Sequence, residues 1–394
     1  MIGAILLAGI ALLPVPLPEP VLDVRIADVY GDGNEKIVVV TAKELLVLDR
    51  SGAIVARRPV SPLTIVGRGL MVDPRSPRPL LGGLGVGDPV LVDSPGDLDG
   101  DGKDDAIYAT RDGFVTPGGL VPAPPKALLE IKRAETFAVQ FAIPIPAVGG
   151  WTGTTRELVL YDEGTFRSFR NGKQTGSLKL PLKELAPAAE GIRRNDVFLR
   201  DLDGNQRLDL LLVMGKGSMK LFATFEVSAW YFPGGRIYNE KRKGFYRPAT
   251  VIKVPGALLE SALVDADGDG DLDLALSTIS TSIVSAPTAT VHVFAFDKGK
   301  LSRQPAWTHK GPISMSAFGP EPDPPYDLLP DIDGDGRPEL VARGKDLRVL
   351  RANAKGGFDE VVRRKIKAGK PAIGRTIAAM ITDKGLLLIR KESR

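Results

Sequence analysis

Short apolar or alternating runs, broken by polar turns, dominate the chain. Phe198-Leu199, Leu263-Val264 and Leu328-Leu329 each close such a run, a stretch rich in aspartate follows, and a second run resumes as Leu210-Leu211-Leu212-Val213, Leu274-Ala275-Leu276 and Leu340-Val341. Ala106-Ile107-Tyr108-Ala109 follows an acidic stretch of the same kind. Runs this short, next to residues that favour turns, predict strands rather than helices. Between residues 136 and 182, Phe137 to Ile145, Arg156 to Tyr161, Thr165 to Phe169 and Gly176 to Leu180 alternate as four further strands with no acidic loop, and Thr376 to Ile389 begins a last group.

The N-terminus breaks this rhythm. Ile2 to Leu13 is an unbroken run of 12 small and apolar residues, followed by Pro14, Pro16, Pro18 and Pro20. Such a run falls short of the roughly 20 residues that cross a bilayer, but it matches the core of a signal peptide. The alternating prolines favour an extended spacer. Residues 1–20 are therefore read as signal peptide and spacer, and 21–394 as one domain. The chain is expected to be exported to a periplasm, a cell surface or the medium, and no later apolar stretch is long enough to span a membrane.

Composition narrows the chemistry. Gly 44 and Pro 32 make about a fifth of the 394 residues, which suits tight turns between short strands. The absence of cysteine removes disulfides, thiolate metal sites and cysteine nucleophiles. Only His292 and His309 are present, too far apart for a helical zinc pair, and His292 alternates with apolar neighbours as a strand residue does.

A search for internal repeats finds the main signal in the acidic stretches. Asp97-Leu98-Asp99-Gly100-Asp101-Gly102-Lys103-Asp104-Asp105 and Asp265-Ala266-Asp267-Gly268-Asp269-Gly270-Asp271-Leu272-Asp273 both fit D-x-D-G-D-G-x-x-D. Asp331-Ile332-Asp333-Gly334-Asp335-Gly336-Arg337-Pro338-Glu339 fits with glutamate in the ninth place. Asp201-Leu202-Asp203-Gly204-Asn205-Gln206-Arg207-Leu208-Asp209 has asparagine at the fifth, and the copy from Asp28 to Lys36 is eroded. Carboxylates at positions one, three and five of a tight loop converge on one point, and the glycines permit the curl. A carbonyl at seven and a carboxylate at nine complete an all-oxygen shell of the size calcium prefers, whereas magnesium demands stricter geometry. An EF-hand would carry its bidentate glutamate at position twelve and continue as a helix. Here strands follow instead.

The motifs start at residues 28, 97, 201, 265 and 331, in steps of 69, 104, 64 and 66. Most of these steps match a four-stranded propeller blade with its turns, and the long one conceals the metal-free blade at 136–182. The expected fold is an all-β propeller of four-stranded blades, seven with six as the alternative. Pairing of the N-terminal and C-terminal strands within one blade would close it and remove open edges.

Loops of this pattern between strands, recurring every 60-odd residues, resemble the FG-GAP/VCBS repeat family, which is similar to the integrin α-subunit propeller. The resemblance implies calcium ligands Asp97, Asp99, Asp101 and Asp105, with the carbonyl of Lys103, in one loop. It implies Asp265, Asp267, Asp269 and Asp273 with the carbonyl of Asp271 in the next. Asp331, Asp333, Asp335 and Glu339 with the carbonyl of Arg337 complete a third strong site. Asp201, Asp203, Asn205 and Asp209, with the carbonyl of Arg207, form a weaker one, having one charge fewer. The loop at Asp28 and Asp32 is expected to hold no metal, with the Lys36 ammonium offsetting its acids.

Setting aside the 17 acids of these loops leaves 31 of 48 acids against 52 bases elsewhere. Arg57-Arg58, Arg193-Arg194, Lys241-Arg242-Lys243 and Arg363-Arg364-Lys365 are the visible clusters. They are read first as charged blade edges and second as a surface for an acidic polysaccharide or cell envelope. No nucleic-acid partner is expected. No catalytic residue is assigned: Gly83-Leu84-Gly85-Val86-Gly87 and Gly215-Lys216-Gly217-Ser218 lack the spacing of nucleotide loops, and no G-x-S-x-G elbow occurs. The expected function is a binding or adhesion module for a protein or glycan, with calcium mainly structural. The alternative is a carbohydrate- or lipid-active lyase or hydrolase on the same scaffold.

Overall fold

A computed structural model describes residues 9–27, 34–41, 44–59, 145–151, 156–162, 165–179, 194–203, 207–218, 224–235, 248–280, 287–316 and 319–391, together with shorter pieces at 5–7, 30, 32, 108–110, 113–116, 119–122, 131–133, 139–141, 205, 238–239 and 244–245. The fold is all-β and of the propeller type, made of up-and-down antiparallel sheets. Blade I spans 21–59, blade II 145–179, blade III 194–255, blade IV 257–311 and blade V 326–364, each with four strands. Blade VI takes Ala368–Ile373, Ile377–Thr382 and Gly385–Lys391 from the C-terminus and Ile10–Val15 from the N-terminus, with Ile5–Leu7 beyond it.

Among the described residues six blades have four strands, where the sequence favours seven with six as the alternative. Residues 376–389 do begin a last blade, blade VI, and the pairing of N-terminal with C-terminal strands expected from the sequence completes it. Tyr108–Thr110, Gly113–Thr116 and Gly119–Pro122 form a sheet of three strands among the described residues. Blade II carries the metal-free group as expected, except that its first strand is Ile145–Gly150. Val139–Phe141 pairs instead with Ile131–Arg133.

The chain divides into two compact units, one of residues 1–5, 11–180 and 369–390 and the other of 6–10, 181–368 and 391–394. In the first, Val15 joins Val21, Ile37 and Leu46 of blade I and Ile377, Leu386 and Leu388 of blade VI in one buried cluster. Ile10–Val15, which the sequence divides between a signal-peptide core ending at Leu13 and the spacer beyond it, is a strand whose Ile10, Ala11, Leu12 and Val15 are buried.

In the second unit, period-two alternation places one face of each strand against each neighbouring blade. Leu274 and Leu276 of Asp273–Ser280 pack with Leu211, Val213 and Tyr231 of blade III. Ala275, from the opposite face of the same strand, packs with Leu340, Ala342 and Leu350 of blade V. This stacking fixes the loops that join the first and second strands of blades III, IV and V. No helix of the described residues is long and apolar enough to cross a membrane.

Candidate metal centres

Each acidic motif in the second unit lies where the sequence puts it, between the first two strands of its blade. The ninth residue begins the second strand: Asp209 opens Asp209–Ser218, Asp273 opens Asp273–Ser280 and Glu339 opens Glu339–Arg343. Gly268 and Gly336 sit at φ +78, in the left-handed region, and a Cβ on Gly268 would stand 3.0 Å from Asp331 Oδ2. The loops of blades IV and V are therefore neighbours.

All three ninth-position carboxylates are fully buried. One oxygen of each accepts an N–H from the second residue of its own loop: Leu202 to Asp209 at 2.9 Å, Ala266 to Asp273 at 2.8 Å and Ile332 to Glu339 at 2.8 Å. In blades III and IV the other oxygen accepts a backbone N–H from just past the third strand, Gly234 for Asp209 and Phe296 for Asp273. The ninth residue thus clamps its loop to the sheet. Burial, the dominant cause, pushes Asp209 up to about 6, Asp273 up to about 7 and Glu339 up to about 8, with neighbouring carboxylates adding to the rise.

Position nine of blade V departs from this arrangement. Arg351 stands directly opposite Glu339 in the strand ladder. Its Nε lies 3.5 Å from Glu339 Oε1 and 3.9 Å from Asp335, and its Nη2 pairs with Asp333. Arg337 donates to Asp335 at 2.9 Å, and the Lys391 ammonium lies 2.8 Å from where a Cβ on Gly334 would stand.

Carboxylate oxygens of Asp265, Asp267 and Asp269 lie within 4.8 Å of one another, as do those of Asp331, Asp333 and Asp335, and those of Asp201, Asp203 and Asp209. Among the described residues, no Lys or Arg forms an ion pair with Asp265, Asp267 or Asp269. Burial first, then mutual repulsion with Asp269, raises the Asp265 and Asp267 carboxyls above the usual range. A hard, oxygen-seeking divalent cation fits this donor set, since it would neutralise acids that have no counter-charge among the described residues. In the Asp331 set, Asp333 and Asp335 already face the guanidinium groups of Arg351 and Arg337.

No family model and no curated protein matches this chain. Among solved structures it is similar to BBS1N in complex with ARL6DN, at 12% identity over 99% of this chain and 97% of that one, with a TM-score of 0.43. It is also similar to BamB from Moraxella catarrhalis, at 11% identity over 99% and 91%, with a TM-score of 0.32.

The remaining positions follow from the local loop geometry. Asn205 Oδ1 accepts the Arg207 N–H at 2.8 Å, and the Asn205 N–H is shared between Asp201 at 3.0 Å and Asp203 at 3.3 Å. Asp271, at position seven of its loop, accepts the Lys298 N–H at 3.2 Å through its side chain. In blade I, the Lys36 ammonium reaches Asp32 at 3.2 Å and the Asn34 carbonyl at 2.8 Å, so the expected internal counter-charge is present. Asp28 lies outside the described residues, as do Asp97, Asp99, Asp101, Lys103 and Asp105.

Two basic positions from the sequence clusters lie on outer strands, with acids beside them. Arg57 pairs with Glu44 at 3.1 Å, and Arg363 pairs with Glu360 at 2.8 Å. That placement supports the blade-edge reading. Arg351 and the backbone clamps escaped the sequence reading. The signal that could have found Arg351 is the Glu339–Arg343, Leu347–Ala352 hairpin, whose register sets it across from position nine.

Proposed function

We propose that this chain is a calcium-stabilised binding propeller, with the loop of Asp265, Asp267 and Asp269 as its principal ion site. The cluster of these three carboxylates, without a basic partner among the described residues, carries the reading. Asp201, Asp203 and Asp209 would hold a second ion, more weakly. When bound, calcium would supply positive charge at the corner between two strands and couple its own affinity to folding.

A binding role is supported by how the loop is held. Asp273 ties it to the sheet from below, while Gly268, Asp269 and Gly270 remain exposed. The ion then serves the scaffold, and the loop offers a fixed surface to a protein partner. At the 10⁻⁴–10⁻³ M affinities common in extracellular calcium modules, 10 mM calcium would add roughly 1.5–3 kcal/mol.

Calorimetric melting of the full chain tests the metal reading. Asp267→Ala should lower the melting temperature in calcium and change it little in chelator. Equal losses in both conditions would show that the loop holds no ion. Binding to arrayed surface proteins and glycans, with calcium and with chelator, tests the partner: calcium-dependent capture of a protein supports the role, and capture of glycans alone overturns it.

A further inference from the structure

The motif that begins at Asp331 matches the repeat pattern nearly as well as the one at Asp265, yet the two loops are neutralised differently. We propose that Arg351 is the resident cation of the Asp331 loop, and that this loop takes up no calcium at concentrations that fill the Asp265 loop. The second half of this statement rests on the calcium reading above; the first half does not.

Two observations converge on Arg351. Its guanidinium contacts three of the four acids assigned to the loop, pairing with Asp333, Glu339 and Asp335. It fills a gap in a repeated device. Blades III and IV give the second oxygen of the ninth carboxylate a backbone N–H from two residues past the end of the paired core, at Gly234 and Phe296. The residue at the equivalent place in blade V is Ala352, whose N–H is taken by the Pro338 carbonyl at 3.0 Å. Arg351, one residue earlier and directly across from Glu339, instead brings its guanidinium to 3.5 Å from Oε1, an ion pair without a hydrogen bond.

The surroundings strengthen the assignment. Arg337 holds Asp335 from the solvent side, and Lys391 approaches Gly334. A guanidinium presents several fixed donors to carboxylates and stays charged at every working pH, so it is a durable substitute for an ion. A divalent cation would have to displace a half-buried arginine from three partners. Blade I offers a smaller version, where Lys36 at position nine neutralises Asp32. Basic side chains thus face two loops of the repeat, while the Asp265 loop has none in an ion pair among the described residues.

The test combines calcium titration by isothermal calorimetry with melting in chelator, both on the full chain. Asp333→Asn should bind as many calcium ions as wild type, and Asp267→Ala one fewer. Arg351→Gln should bind one more than wild type. In chelator, Arg351→Gln should lower the melting temperature by on the order of 2–4 °C, and adding Asp333→Asn to it should recover part of that loss. Arg351→Lys, which keeps the charge and loses the fork, provides a milder variant should the glutamine form fold poorly.

Loss of a calcium equivalent in Asp333→Asn, or an unchanged count in a folded Arg351→Gln, would overturn the calcium half. Additive melting losses for Arg351→Gln and Asp333→Asn in chelator would overturn the assignment of Arg351 itself. A wild-type chain that binds no calcium sinks the metal reading of the Asp265 loop, and the chelator cycle still decides whether Arg351 is the resident cation.

Discussion

Asp273 Oδ1 accepts the Phe296 N–H at 2.7 Å, joining the start of blade IV's second strand to the turn after its third. Its other oxygen takes the Ala266 N–H, so one buried side chain holds both ends of the loop. The repeat's ninth carboxylate is therefore a structural acceptor whether or not an ion is bound.

Asp273→Ala leaves two buried N–H groups without an acceptor, which should cost on the order of 3 kcal/mol. Asp273→Asn keeps one acceptor oxygen and should lose less. Chemical denaturation in chelator measures both. An alanine variant as stable as wild type there would show that the clamp carries no load of its own.

Tyr231 offers the opposite case. Its side chain is fully buried and meets Phe296 edge-on at 5.1 Å, but its hydroxyl has no hydrogen-bond partner among the described residues. Burial, then the Asp209 and Asp203 carboxylates, raises its pKa. Tyr231→Phe keeps the ring and removes an unsatisfied group, so it should be neutral or stabilising by about 1 kcal/mol. A clear loss on denaturation would reveal a partner for that hydroxyl.

The aspartate spacing made the strand–loop–strand unit legible, and placed Asp209, Asp273 and Glu339 at the first residue of their strands. Their second partners were not legible, because Gly234, Phe296 and Arg351 reach the loop only through the register of the following hairpin. Ile10–Val15 was hidden for a different reason. Pro14 and Pro16 resemble a spacer, and the strand that pairs with it lies at the far end of the sequence, where local patterning gives no guide.

His292 sets a pH dependence. It lies half-buried on Thr288–Phe294, its Nε2 3.5 Å from Thr278 Oγ1. Burial pushes its pKa down to about 4, with Lys310 on the adjacent strand adding to the effect. Between about pH 6.5 and 4 the unfolded chain binds a proton that the folded chain refuses, so this contribution to stability is lost as pH falls through that window. His292→Gln should show a smaller fall in melting temperature from pH 7 to pH 4.5 than wild type. Parallel falls would exclude His292 as a cause.

Removing residues 1–20 tests the fourth strand of blade VI. Ile10–Val15 lies beside Gly385–Lys391, and its loss uncovers Leu386 and Leu388 along with an unpaired strand edge. Each large apolar side chain deleted from the buried set, Ile10, Leu12 and Val15, removes roughly 1.5–3 kcal/mol, so the shortened chain should melt far below wild type or aggregate. Cleavage of a leader within residues 14–25 would remove the same strand. Mass spectrometry of the native N-terminus separates the two roles: a mature chain retaining residue 10 keeps the blade closed as described. One beginning after residue 20 that melts like the full chain would show that blade VI stands on three strands.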